Sequence, residues 1–115
     1  LMGDGRLSAV IRQARRDFPD LPLVVEADSV KLAEALLGEP VDRILLDNLS
    51  SGEVAQVVNR RNSMGSPIQL EASGGVNLEK AKTLARAGVE WISVGSLTHS
   101  AKAIDFSLDI QPCLP

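Results

Sequence analysis

Two stretches carry the residues whose types and spacing are best suited to chemistry. They are Leu70-Glu71-Ala72-Ser73-Gly74-Gly75-Val76-Asn77 and Ile92-Ser93-Val94-Gly95-Ser96-Leu97-Thr98-His99-Ser100. Each reads as a short buried strand that breaks at small residues, and the first then opens a helical pattern. Gly74, Gly75, Gly95 and Ser96 have little or no side chain, so a ligand can approach the backbone closely there. The free N–H groups of a following helix start, with the positive end of its dipole, suit a phosphate. Two successive turns of this kind, each flanked by serine, resemble the phosphate site that α/β barrels build from the loops after neighbouring strands. The alternative is that the glycines only make tight turns.

Carboxylates accompany the two turns. Three apolar runs end in an acid and a fourth ends in glycine: Glu26, Asp47, Glu71 and Gly95, at intervals of 21, 24 and 24 residues. An acid at the end of a buried strand is costly unless it is paired. Each therefore needs a cation, a ligand or a set of donors, and a salt bridge or loop cap would also serve. Carboxylates beside a phosphate cradle can hold ribose hydroxyls, coordinate Mg²⁺ and stabilise a cationic sugar transition state. His99, the one histidine, follows the second glycine turn. There it could donate to a phosphate, cap a helix or pack on Trp91.

The elements that must position these groups follow from periodicity. Leu7, Val10, Ile11 and Ala14 predict a helix from Arg6 to about Asp17, ended by Pro19. Leu23 to Ala27 is a strand, capped into a helix by Asp28-Ser29, with Val30, Ala33, Leu36 and Leu37 on one face and Gly38 as its stop. Arg43 to Asp47 is a second strand, too uniformly apolar for a wet face. Ser50-x-x-Glu53 forms a capping box for a helix running toward Asn62. Ile68 to Glu71 is the third strand, and Asn77 caps a helix closed by Gly88. Trp91 to Val94 is the fourth strand. Beyond His99 the pattern weakens to one helical turn and an extended tail from Asp105 to Ile110. The order α-βα-βα-βα-β predicts an α/β fold of successive βα units with parallel strands and right-handed crossovers. Acids gathered at the strand ends favour part of a TIM-like α/β barrel, with a small doubly wound sheet as the alternative.

Composition narrows the function classes. The chain has 115 residues, 44% of them apolar and only 3% aromatic, a balance that suits parallel strands covered by helices. Net charge is −3, and the basic residues make neither a nucleic-acid stripe nor a polybasic membrane patch. Arg60-Arg61 and the set Arg12, Arg15 and Arg16 read as solvated helix faces. The single cysteine, Cys113, offers no disulfide framework or Cys/His metal cluster, which fits a reducing cytoplasm. No apolar run reaches membrane-spanning length and no signal-peptide pattern is present. The start at Leu1, without an initiator methionine, reads as a cut end or segment boundary. A complete eight-fold barrel needs roughly 250 residues, and this chain has room for about half of the units. The expectation is part of a larger enzyme.

Val25-Glu26-Ala27-Asp28, Ile44-Leu45-Leu46-Asp47-Asn48, the run from Leu70 to Gly75, the run from Ile92 to Ser100 and a closing Asp105-x-Ser107-Leu108 resemble the quinolinate phosphoribosyltransferase family in order and spacing. The resemblance covers nearly the whole chain. It implies Mg²⁺-dependent transfer from phosphoribosyl pyrophosphate to quinolinate, giving nicotinate mononucleotide, pyrophosphate and CO₂. By the same likeness Glu26 and Asp47 face the ribose and its metal. Ser73-Gly74-Gly75 and Val94-Gly95-Ser96 would, by that likeness, cradle the 5′-phosphate; Glu71 and His99 are further substrate-side candidates on the residue reading alone. The family's basic residues for the two quinolinate carboxylates lie upstream. So does an N-terminal domain that covers a neighbouring subunit's site in a homodimer. Neither is among these residues, so residues 1–115 correspond to the C-terminal half of the barrel domain and lack the quinolinate pocket. A phosphoribosyltransferase for another aromatic acid, or a non-catalytic phosphate-binding or scaffolding fragment, shares these runs.

Overall fold

Helix caps set most of the boundaries. In the computed structural model, which describes residues 5–95, the order is α1 (Gly5–Asp17), β1 (Val24–Ala27), α2 (Val30–Leu36), β2 (Arg43–Asp47), α3 (Ser51–Ser63), β3 (Gln69–Ser73), α4 (Leu78–Ala87) and β4 (Trp91–Ile92). Ser29 Oγ accepts from the Leu32 N–H at the start of α2. Ser50 and Glu53 form the full reciprocal capping box ahead of α3. Asn77 Oδ1 accepts from the Lys80 N–H at 2.8 Å and opens α4. Gly88 closes α4 at φ 108°, in the left-handed region where a side chain is disfavoured. Gly38 does not play that part for α2, whose cap is Leu37 in right-handed geometry. Ser96, His99, the helical turn after it, the tail from Asp105 to Ile110 and Cys113 lie outside the described residues.

The strands form one parallel sheet in the order β1-β2-β3-β4. Successive helices pack on one another, α2 against α3 and α3 against α4, so they share one face of the sheet. A doubly wound sheet reverses its strand order and carries helices on both faces. Sequential order with helices on one face is the winding of an α/β barrel, and it removes the doubly wound alternative. The core lies between sheet and helices, around Ala27, Ile44, Leu46, Leu70, Val54, Val57, Val58 and Leu84, each no more than 2% exposed.

Two sequence expectations are corrected here. β2 does have a wetter face: Ile44 and Leu46 are buried, whereas Arg43, Leu45 and Asp47 are only half-buried on the side away from the helices. A run of aliphatics hid a period of two whose second phase is polar at both ends. Arg61 is not a solvated helix residue either, being 7% exposed. Its Nη1 donates to both Glu90 oxygens at 2.7 Å and its Nη2 to the Gly88 carbonyl at 3.1 Å. Arg15 is likewise engaged, holding Asp42 at 2.6 Å and the Pro40 carbonyl at 3.1 Å.

Candidate functional site

The sheet's two faces divide the labour. Val25, Ala27, Ile44, Leu46, Leu70, Ala72 and Ile92 face the helices and are buried or packed against the core. The residues between them lie on the open face, in layers set by the register. Val24, Arg43 and Gln69 form the lowest layer, Glu26, Leu45, Glu71 and Trp91 the next, and Asp47 and Ser73 the one nearest the C-terminal ends. Glu26, Asp47 and Glu71 therefore share the open face but do not lie on the single rim of strand ends that their places in the sequence suggested. Glu26 and Glu71 flank Leu45, and Asp47 stands two residues further along β2.

Each acid has a different environment. Glu26 is exposed and, among the described residues, its carboxylate takes part in no hydrogen bond or ion pair. Asp47 is half-buried and accepts a long hydrogen bond from Ser73 Oγ at 3.4 Å. Glu71 is fully engaged: Oε1 receives Arg43 Nη1 at 2.9 Å and Oε2 receives Ser93 Oγ at 3.0 Å. Glu26 and Asp47 sit on adjacent strands, offset by two residues. Strand spacing and rise place their Cα atoms about 8 Å apart, close enough for two carboxylates to address one sugar or one hydrated cation. Among the described residues no group of three or more His, Cys, Asp or Glu side chains is placed to hold a metal.

β3 runs to Ser73 rather than stopping at Glu71, so its serine is still a strand residue on the open face. The glycine turn begins immediately after. Asn48, at φ 58°, ends β2 in a left-handed conformation, and its N–H donates to the Ser73 carbonyl at 2.8 Å. Gly74 presses against this bend. A Cβ there would lie 2.9 Å from both the Asn48 Cα and its nitrogen, at a φ of 87°. Gly74 thus lets two protein loops meet. Gly75 differs: at φ 59° a Cβ would meet only Asn48 Oδ1, at 3.8 Å. Its surroundings are open.

The sequence reading missed three residues here. Lys80, in the first turn of α4, reaches within 3.4 Å of the Gly74 carbonyl. A cation there opposes the helix dipole, and that local mismatch was the signal available. Arg43 and Ser93 were missed because their roles depend on register across three strands. Val94 and Gly95 follow directly on Ser93 at the same end of the sheet, whose N–H donates to the Ala72 carbonyl at 2.9 Å. A cleft at the opposite end, lined by Arg15, Val24, Asp42, Arg43 and Gln69 among others, is walled by the Arg15–Asp42 pair and lies one layer below Glu26 and Glu71. No helix among the described residues is long and apolar enough to cross a membrane.

A one-sided parallel sheet with acids on its open face and a glycine loop at its C-terminal ends is the arrangement of an α/β-barrel enzyme site. The family model described as quinolinate phosphoribosyl transferase, C-terminal domain, matches residues 2–109, and the chain belongs to this family. It is 38% identical over 116 residues to the nicotinate-nucleotide pyrophosphorylase (carboxylating) of Mycobacterium leprae, covering 96% of this chain and 41% of that protein. The rat protein of the same name is 32% identical over 108 residues, covering 92% and 36% respectively. The crystal structure of nicotinate-nucleotide pyrophosphorylase from Ehrlichia chaffeensis superposes with a TM-score of 0.72 at 32% identity, covering 84% of this chain and 34% of that one. The chain thus spans about two fifths of the curated relatives' length or less.

Proposed function

We propose that the protein carrying this chain transfers a phosphoribosyl group to quinolinate, making nicotinate mononucleotide for NAD synthesis. Residues 1–115 would form the C-terminal half of its barrel domain, with the quinolinate-binding cations upstream. One observation carries the reading in this chain: Glu26 and Asp47 stand on neighbouring strands of the open face, and the Asp47 loop is in contact with the Ser73-Gly74-Gly75 turn. Family membership and the names of the relatives support the choice of substrates.

In this reading the pyridine nitrogen forms a bond to the anomeric carbon as the bond from that carbon to the pyrophosphate oxygen breaks. Positive charge develops on the sugar ring, and carboxylates facing it lower the barrier. Pyrophosphate leaves, and the ring carboxylate departs as CO₂ while a proton takes its place. The 5′-phosphate lies on the turns at Gly75 and Gly95, with Ser73, Ser96 and His99 as donors and the Lys80 ammonium adding charge. Mg²⁺, when bound, would offset charge on the leaving pyrophosphate. Glu26 and Asp47 would hold it, since Mg²⁺ is commonly held by one or two carboxylates with water and phosphate oxygens. A cytoplasmic homodimer completes the proposal.

The test is pyrophosphate release by the full-length protein with phosphoribosyl pyrophosphate and Mg²⁺, with and without quinolinate. Release that depends on quinolinate is the expected result. Release with another aromatic acid alone would change the substrate, and no release with any would leave a non-catalytic phosphate-binding module.

A further inference from the structure

We infer that Glu71 is a positioning residue, which sets the second phosphate turn through Ser93 and is kept from repelling the phosphate by Arg43. The inference rests on the phosphate site proposed above. β4 is paired as a strand over only two residues, and among the described residues it has a neighbour on one side, β3. Beyond Ile92, two hydrogen bonds tie its continuation to β3. One is from the Ser93 N–H to the Ala72 carbonyl at 2.9 Å, the other from Ser93 Oγ to Glu71 Oε2 at 3.0 Å. Val94 and Gly95 come next, so the second turn is placed by whatever holds Ser93.

Charge and geometry make Glu71 a poor direct ligand for an anion. Both of its oxygens are already accepting, one of them from Arg43 Nη1 at 2.9 Å, and its side chain is 16% exposed. A bare carboxylate one layer below a phosphate would repel it. Paired with a guanidinium, it does not. Arg43 is itself fixed, its guanidinium carbon 4.1 Å from the centroid of the Trp91 ring. Trp91 Nε1 in turn donates to Gln69 Oε1 at 2.8 Å. Side chains from β2, β3 and β4 thus form one tie across the open face, and its last member is Ser93.

The experiment measures ribose 5-phosphate affinity by calorimetry on the full-length protein, alongside thermal melts. Glu71→Ala and Ser93→Ala should each weaken binding about tenfold, the scale of losing one charge-assisted hydrogen bond. The double variant should be no weaker than the worse single, because residues acting through one contact are not additive. Glu71→Gln keeps an acceptor for Arg43 and an amide for Ser93, and should recover most of the lost affinity. Additive losses, or a glutamine variant as weak as the alanine one, would mean that Glu71 acts on the ligand directly and overturn the inference. Wild-type protein that fails to bind ribose 5-phosphate would overturn the phosphate site itself, and this inference with it.

Discussion

Glu26 and Asp47 occupy the positions where a side chain is least needed by the fold. One is exposed without partners among the described residues, and the other holds only a 3.4 Å contact from Ser73. Glu26→Ala and Asp47→Ala in the full-length protein should therefore lower turnover well over tenfold, the scale of removing a group aimed at developing charge. Their melting temperatures should stay close to wild type, and normal turnover in both would remove them from the mechanism. The two adjacent glycines separate on the same axis. Gly74→Ala drives a methyl group into the Asn48 backbone at 2.9 Å, so it should destabilise the fold with or without ligand. Gly75→Ala meets no such wall, but its φ of 59° is left-handed, which costs an alanine about 1 kcal/mol. Its melt should fall modestly while ribose 5-phosphate affinity falls further. Unchanged affinity in Gly75→Ala would exclude close approach of the phosphate at that residue.

At the scale of elements, Arg61 and Glu90 join α3 to the start of β4. The guanidinium serves Glu90, the Ile68 carbonyl and the Gly88 carbonyl, and Glu90 Oε2 accepts from the Leu70 N–H at 2.8 Å. Arg61→Ala leaves the Ile68 and Gly88 carbonyls without this donor and Glu90 without its cation, and should cost about 2–4 kcal/mol in a denaturant titration. A loss near zero would make the cluster ornamental. Burial pushes the Glu90 carboxyl up, but the Leu70 N–H and Arg61 outweigh it, and its pKa lies below the ordinary 4.5. The unfolded chain therefore takes up a proton at this group before the folded one does. The stability it confers is present above the ordinary glutamate range and is lost as pH falls through the folded value. Glu90→Gln should accordingly show less loss of stability between neutral pH and about pH 3 than wild type. An identical acid profile would remove Glu90 from the acid response.

For the molecule as a whole, the sheet buries one face only. Val24 and Trp91 on the other face are each 46% exposed, and among the described residues β1 and β4 each have an unpaired edge. Unpaired edges and apolar surface favour association. The isolated 115-residue chain should aggregate or pair with a complementary barrel half, read by light scattering and size exclusion. A sharp, cooperative melt of the monomer would contradict this.

The sequence by itself determined every element of the described sheet, because each has a local cause: the capping residues Ser29, Ser50 and Asn77, the prolines after α1, and aliphatic runs of strand length. It also marked Glu26, Asp47 and Glu71 as acids closing apolar runs, but the uniformly aliphatic β2 hid its open face, so their sharing one face came from the structure. Register was beyond its reach. Only pairing across strands sets Glu26 and Glu71 on either side of Leu45 and brings Asp47 to Ser73. Direction was equally hidden for long side chains: Arg61 turns inward to Glu90, and Arg43 reaches across to Glu71. Gly74 and Gly75 look alike in a chain, yet one is packed against Asn48 and the other opens outward. That difference exists only once two loops, far apart in sequence, are brought together by parallel strands.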